Sequence, residues 1–208
     1  MAAMTSPSLA PDPMTIAIES AALAMSLTEV PIGCSISHPH HGILSTGHNL
    51  VNATRDATRH AELVALDRLY TNGQCSDALC LTPPPLHPSQ PAYVPRSVAE
   101  VNQLLSESTL YVNCEPCIQC AAALRHVGIK SVVYGCSNPR FGGAGSLLPL
   151  HSPSFLPDGH QGYSVTGGVR EEEAVNVLRT FYDRENESAP VEKRTKKEGK
   201  STANYDER

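Results

Sequence analysis

The sequence predicts an α/β fold, and three observations carry that prediction. Runs of period two alternate with runs of helical period along the chain. One succession, strand 109–113, helix 117–127 and strand 131–134, is a β-α-β unit, which should be parallel and right-handed. Hydrophobic residues make up 40% of 208 residues, enough for one aliphatic core, with Trp absent and aromatics few.

Taken in order, residues 1–11 are small, polar and Pro-bearing, and are expected to be disordered. Asp12-Pro13 reads as an N-cap followed by Pro at the first helical position. The Ala-rich run to about Leu27 fits a buried helix, ended by Glu29-Val30-Pro31. Ile32, Cys34 and Ile36 alternate with small residues, a strand signal, and 39–42 turns the chain into a returning strand over 43–48. A helix is expected over 60–70, with Leu63, Leu66 and Tyr70 at helical spacing. Prolines 83–85, 88, 91 and 95 exclude helix and central strand from much of 71–107, which reads as an insertion or functional loop holding a short helix at 98–105. Residues 142–146 form a Gly-rich loop. Over 171–182, Ala174, Val175, Leu178, Phe181 and Tyr182 line one helix face, with acidic residues at its start to suit the helix dipole. From about Glu185 the chain is a polar tail.

No stretch reaches the ~18 apolar residues of a membrane span, and no membrane partner is expected. The N-terminus lacks the basic and apolar regions of a secretory signal, so cytosol or nucleus is the expected compartment. Seven cysteines, an odd number in a reducing setting, point to metal or redox chemistry before disulfides. The net charge of −5 argues on its face against a nucleic-acid partner, but 192–200 carries five Lys/Arg against two Glu.

The chemistry rests on four residues. Cys117 and Cys120 are three apart, on one helix face, so both sulfurs can reach one ion. The amino end of that helix, after Pro116, favours thiolate, the form that binds zinc. His60 and Glu62 are two apart and cannot share a helix flank; they converge only at a helix start. Two helix N-termini would then face one metal. His60, Cys117 and Cys120 leave a fourth tetrahedral position open, the mark of a catalytic rather than a structural zinc. Glu62, not itself a ligand, can accept a proton from water and pass it on. In isolation Cys117/Cys120 also reads as a redox pair, and Cys114 could make a Cys-x-x-Cys with Cys117. The combination of His-x-Glu opening one helix and Pro-Cys-x-x-Cys opening another is the stronger reading, and it is a known zinc-deaminase signature. Gly142 to Ser146 lacks a phosphate-binding lysine. His38, His40 and His41 read as solvated turn residues. Cys34, Cys114 and Cys136 read as core, while Cys75 and Cys80 carry no assignment.

On these residues the chain resembles the tRNA adenosine deaminase family, and specifically the catalytic subunits of its eukaryotic heterodimeric members; it is also similar to the bacterial homodimeric ones. The similarity runs from about Asp12 to Asn186. It includes Glu29-Val30-Pro31-Ile32-Gly33-Cys34, Asn52-Ala53-Thr54-Arg55, Arg59-His60-Ala61-Glu62, Glu115-Pro116-Cys117-Ile118-Gln119-Cys120 and Arg140-Phe141-Gly142-Gly143. The resemblance implies a three-layer α/β/α, cytidine-deaminase-like fold with a central mixed five-stranded sheet. The deaminase domain would span 12–186, with the Pro-rich insertion around 71–107 and a basic, polar tail over 187–208. It implies Zn2+ as cofactor and hydrolytic deamination of adenosine to inosine at the wobble position (34) of tRNA. Glu62 would mark the active subunit, since the paralogous partner of the heterodimer lacks the catalytic carboxylate. Asn49 and Ala61 would meet the nucleoside, Asn138 and Arg140 would line the substrate groove, and Phe181 would lie beside the flipped nucleotide unless it is core. Lys193, Arg194, Lys196 and Lys197 would bind tRNA, with a solvated tail or nuclear signal as the alternative, and the expected location is nucleus and cytoplasm. Asn138 departs from the Asp of the bacterial relatives. A small-molecule base or nucleotide deaminase of deoxycytidylate or guanine type, and a non-catalytic zinc interaction module, are the competing readings.

Overall fold

The computed structural model describes residues 11–74, 85–155, 159 and 161–184. The expected disorder of 1–10, Cys75, Cys80, Pro83, Pro84 and the basic tail lie outside the described residues. Among the described residues, helices and strands follow one another as α1 (Pro13–Ser26), β1 (Gly33–His38), β2 (Gly42–His48), α2 (Val51–Thr54), α3 (Ala61–Thr71), α4 (Val98–Leu105), β3 (Thr109–Cys114), α5 (Ile118–His126), β4 (Ser131–Cys136), β5 (Ser164–Thr166) and α6 (Glu171–Tyr182).

The strands form one mixed sheet in the order β2-β1-β3-β4-β5. β1 runs antiparallel to both β2 and β3, while β3, β4 and β5 are mutually parallel. The expected β-α-β unit is therefore β3-α5-β4. The short β5 and α2 carried no period that the sequence reading could use: three and four residues are too few to establish one.

The helices cover both faces of the sheet, α1 and α6 on one, α3 to α5 on the other. Local chemistry starts α1 as expected: the Asp12 side chain caps it by accepting from the Thr15 N–H, and Pro13 opens it. Its Ala17, Ala21 and Ala24 are buried, and they let the backbone come close to β1. A Cβ on Gly33 would lie 2.1 Å from the Ala21 nitrogen, so no larger residue fits there. Gly33 and Ser35 thus face α1, while Cys34 and Ile36 join Leu110, Val112, Val132, Ala61, Ala65 and Leu124 in the core on the other face. The alternation of β1 separates small from large residues, not buried from solvated ones.

The insertion has a structural task. β2 is an edge strand, and Gln90 Oε1 accepts from both the Thr46 N–H (2.7 Å) and the Thr46 hydroxyl (2.9 Å). The Pro85 carbonyl lies 3.1 Å from His48 Nε2, and His87 donates to Glu19 at 2.9 Å. The loop so occupies an edge that would otherwise invite pairing. Ser97 and Glu100 form a capping box that starts α4.

One expectation needs correction. His38 is not a solvated turn residue: it ends β1 and is buried, its ring 4.6 Å from that of His41. Burial lowers its pKa, and the neighbouring His41 adds to the effect. The apolar face of α6 is covered to different degrees, with Ala174 buried, Val175, Leu178 and Phe181 partly covered and Tyr182 exposed, and α6 lies against β4, β3 and α1.

Candidate metal centre

The two helix starts meet as their spacing demands. His60 is the N-cap of α3 and Cys117 the N-cap of α5, and neither start has a side-chain cap. Pro116 precedes the cap instead of occupying the first helical position, so it directs the chain into the helix without belonging to it. The N–H groups of both first turns give the site a positive bias, although that of Ile118 is taken by the Phe141 carbonyl at 2.9 Å. Cys120 lies one turn along α5 and is fully buried, and Glu62, in the first turn of α3, is buried as well.

His60 Nδ1 stands 3.4 Å from Cys117 Sγ and 3.4 Å from Cys120 Sγ. All three donor atoms lie within 4.8 Å of one another. A tetrahedral zinc, with Zn–S of about 2.3 Å and Zn–N of about 2.0–2.1 Å, separates sulfur and nitrogen ligands by about 3.5 Å. The donor set therefore fits zinc in both chemistry and spacing. An imidazole nitrogen equidistant from the two sulfurs also decides against a plain redox pair. Cys114 takes no part: it sits on β3 opposite Cys136 of β4.

Electrostatics follow from the geometry. The Cys120 thiol hydrogen-bonds Cys117 and, with His60, holds the Cys117 pKa down at about 4. The same hydrogen bond, and burial, push Cys120 well above the ordinary thiol range. The two sulfurs thus share one proton, which zinc displaces on binding. Donation from the His60 ring to the Cys117 sulfur raises the His60 pKa, against its burial. Burial raises Glu62 to about 6, opposed by its own backbone N–H. A carboxyl so poised can both take and return a proton near neutral pH.

Asn49 is buried at the end of β2, and its Nδ2 donates to Glu29 at 3.0 Å. Ala61 is fully buried at the first position of α3. Asn138 Oδ1 accepts from the Phe141 N–H at 3.1 Å, and Arg140, exposed, places its guanidinium 5.0 Å from the centre of the Phe141 ring. Phe181 is half-buried on α6, edge-on to Tyr182 at 5.3 Å. Lys193, Arg194, Lys196 and Lys197 lie outside the described residues. Two buried carboxylates escaped the sequence reading, Glu29 and Glu115, although both stand inside stretches that carry the resemblance. No spacing rule marks a buried carboxylate whose partners are remote backbone N–H groups.

Comparison with known proteins agrees with this geometry. Residues 9–136 match the family model for the cytidine and deoxycytidylate deaminase zinc-binding region. The chain is 39% identical over 180 residues to tRNA-specific adenosine deaminase 2 of Danio rerio, covering 86% of this chain and 73% of that one. It is 37% identical over 182 residues to the protein of the same name from Xenopus tropicalis, covering 88% and 94%. A solved structure from work on A-to-I editing by tRNA:A34 deaminases superposes with a TM-score of 0.56 at 24% identity, covering 80% of this chain and 98% of that one, a likeness of fold. The mixed five-stranded α/β fold and the zinc ligand set are thus those of a deaminase. The chain belongs to the cytidine and deoxycytidylate deaminase zinc-binding family, and within it to the tRNA-specific adenosine deaminases.

Proposed function

We propose that this enzyme converts adenosine to inosine at the wobble position (34) of tRNA anticodons by hydrolytic deamination. The observation that carries the reading is a buried carboxyl, Glu62, with a pKa of about 6, beside three zinc donors on two opposed helix starts. The relatives named as tRNA-specific adenosine deaminases support the substrate.

His60, Cys117 and Cys120 would hold zinc, which when bound would supply Lewis-acid activation of water. Glu62 accepts the proton of the attacking water and delivers it to N1 of the flipped base as the oxygen adds at C6. Glu62 then takes the proton of the hydroxyl added at C6 and passes it to the amino group; the C6–N bond breaks, C6 becomes a carbonyl, and the amino group leaves as ammonia. Cys34 is fully buried in the core, and burial, with the Glu62 charge adding to it, holds its thiol well above the ordinary range. Asn49 and Ala61 meet the nucleoside, Asn138 and Arg140 line the groove, and Phe181 flanks the nucleotide.

The enzyme works as a heterodimer with a non-catalytic paralogous subunit, in nucleus and cytoplasm. Lys193, Arg194, Lys196 and Lys197 add affinity for tRNA by pairing with phosphates, which offsets the acidic body. Among the described residues no helix is long and apolar enough to cross a membrane. Co-expression with and without the candidate partner, followed by assay of inosine in the anticodons of total tRNA, tests the reading. Activity on free adenosine, guanine or deoxycytidylate, with none on tRNA, would overturn it.

A further inference from the structure

The segment after β4 lies directly against the Cys117 turn. The Ile118 N–H donates to the Phe141 carbonyl at 2.9 Å, and the Gly143 N–H to the Pro116 carbonyl at 2.8 Å. Cys117 and Gly142 pair as an isolated antiparallel bridge. One buried carboxylate organises this segment from within. Glu115 is 2% exposed. Its Oε1 accepts from the Ala144 and Ser146 N–H groups, both at 3.0 Å. Its Oε2 accepts from the Asn138 N–H at 2.9 Å and from the Ser146 hydroxyl. Residues 138, 144 and 146 are so gathered on one side chain whose neighbour but one is a zinc ligand. Packing is tight: a Cβ on Gly142 would stand 2.5 Å from the carboxylate.

The segment held this way projects Arg140 and Phe141 into solvent, the ring 53% exposed with the guanidinium 5.0 Å from its centre. A cation-stacked ring and a solvent-facing cation are what single-stranded RNA needs at the rim of a pocket, one for a base face and one for phosphate. We infer that Glu115 is a positioning residue for the RNA substrate. It fixes the 138–146 segment against the Cys117 turn, so that Asn138, Arg140 and Phe141 hold the nucleotides flanking the reacting base. This rests on the RNA reading given above. Glu115 itself touches no reacting atom; it acts through the loop.

The test uses zinc-loaded enzyme in its active assembly and an anticodon stem–loop RNA. Glu115→Gln puts an amide N–H against the Asn138 N–H or against those of Ala144 and Ser146, whichever way it turns. Gly142→Ala displaces an intact carboxylate. Both variants should raise KM for the stem–loop about tenfold or more, with single-turnover rate at saturation within about threefold of wild type. Zinc should stay at one per chain, and Kd for the same RNA in a Glu62→Ala background should rise with KM. Should Glu115→Gln fail to fold, Ser146→Ala removes only the hydroxyl donor and should raise KM a few-fold with zinc unchanged. An unchanged KM, a fall confined to the saturating rate, or zinc loss in parallel with activity would overturn the inference while leaving the RNA reading intact. Wild-type enzyme inactive on any RNA would overturn both.

Discussion

Glu29 Oε2 accepts a hydrogen bond from Asn49 Nδ2 at 3.0 Å, and Glu29 Oε1 accepts from the Ala53 N–H at 2.8 Å. One fully buried carboxylate thereby joins the end of α1, the end of β2 and the start of α2. It also fixes the Asn49 amide, turning the carbonyl oxygen away from Glu29. Burial raises the Glu29 pKa, while donors from Ala53, Asn52 and Asn49 oppose the rise.

Glu29→Ala should therefore do two things at once. It leaves the buried Asn49 amide without its acceptor, at a cost of about 1–3 kcal/mol, and releases the more exposed Ala53 N–H to solvent at little cost. It also frees Asn49, so KM should rise while zinc content holds. Thermal unfolding, metal analysis and steady-state kinetics on the same preparation check this. Unaltered Tm and KM would mean that Asn49 needs no such support.

Replacing Glu62 separates chemistry from metal binding. Glu62→Ala should lower the saturating rate by about 10²–10⁴-fold, the usual value of general acid–base catalysis, with zinc near one per chain. Inosine formation together with metal content is the measurement. Retained activity would remove Glu62 from the mechanism.

The Glu62 pKa of about 6 also has a consequence for stability. Its folded value lies above the ordinary one of 4.5, so the fold favours the neutral carboxyl. No penalty exists below about pH 4.5, and it grows as pH rises through about 6, to roughly 2 kcal/mol. In chelated protein, Glu62→Gln should be more stable than wild type above about pH 6, the difference closing below about pH 4.5. Urea unfolding across this range reads it directly, and a constant difference would refute the raised pKa.

Each zinc ligand should be indispensable. Cys117→Ser, Cys120→Ser and His60→Ala leave two donors, too few to hold a catalytic zinc. Metal content and activity should fall together in all three. A strong chelator should inactivate the wild type, and added zinc should restore it. Full activity in any ligand variant with no bound zinc would exclude the site.

Removal of 187–208 tests the tail. Binding of tRNA should weaken across isoacceptors alike, and the slope of log K against log salt should drop by about 0.7–0.9 for each phosphate the tail had neutralised. Unchanged affinity and slope would return the basic residues to the role of a localisation signal.

Much of this enzyme was legible in the sequence because the signals are local. Asp12-Pro13 and the 171–182 periodicity mark helix bounds that the fold reproduces, since capping and amphipathicity act within a few residues. The two-residue spacing of His60 and Glu62 required a helix start, and α3 begins there. The three-residue spacing of Cys117 and Cys120 required one helix face. What the sequence by itself determined, then, was the donor set, the carboxyl beside it and the order of the elements other than α2 and β5.

The tertiary structure alone decided what lies between remote segments. It brought His60 to 3.4 Å from both sulfurs, across 57 and 60 residues of chain. It buried Glu29 and Glu115 and chose their partners, and it lifted Glu62 to a pKa of about 6 by removing water. It buried His38 against His41 and laid the Pro-rich loop along the β2 edge. Desolvation and long-range hydrogen bonding depend on which surfaces meet, and a linear pattern holds no record of that.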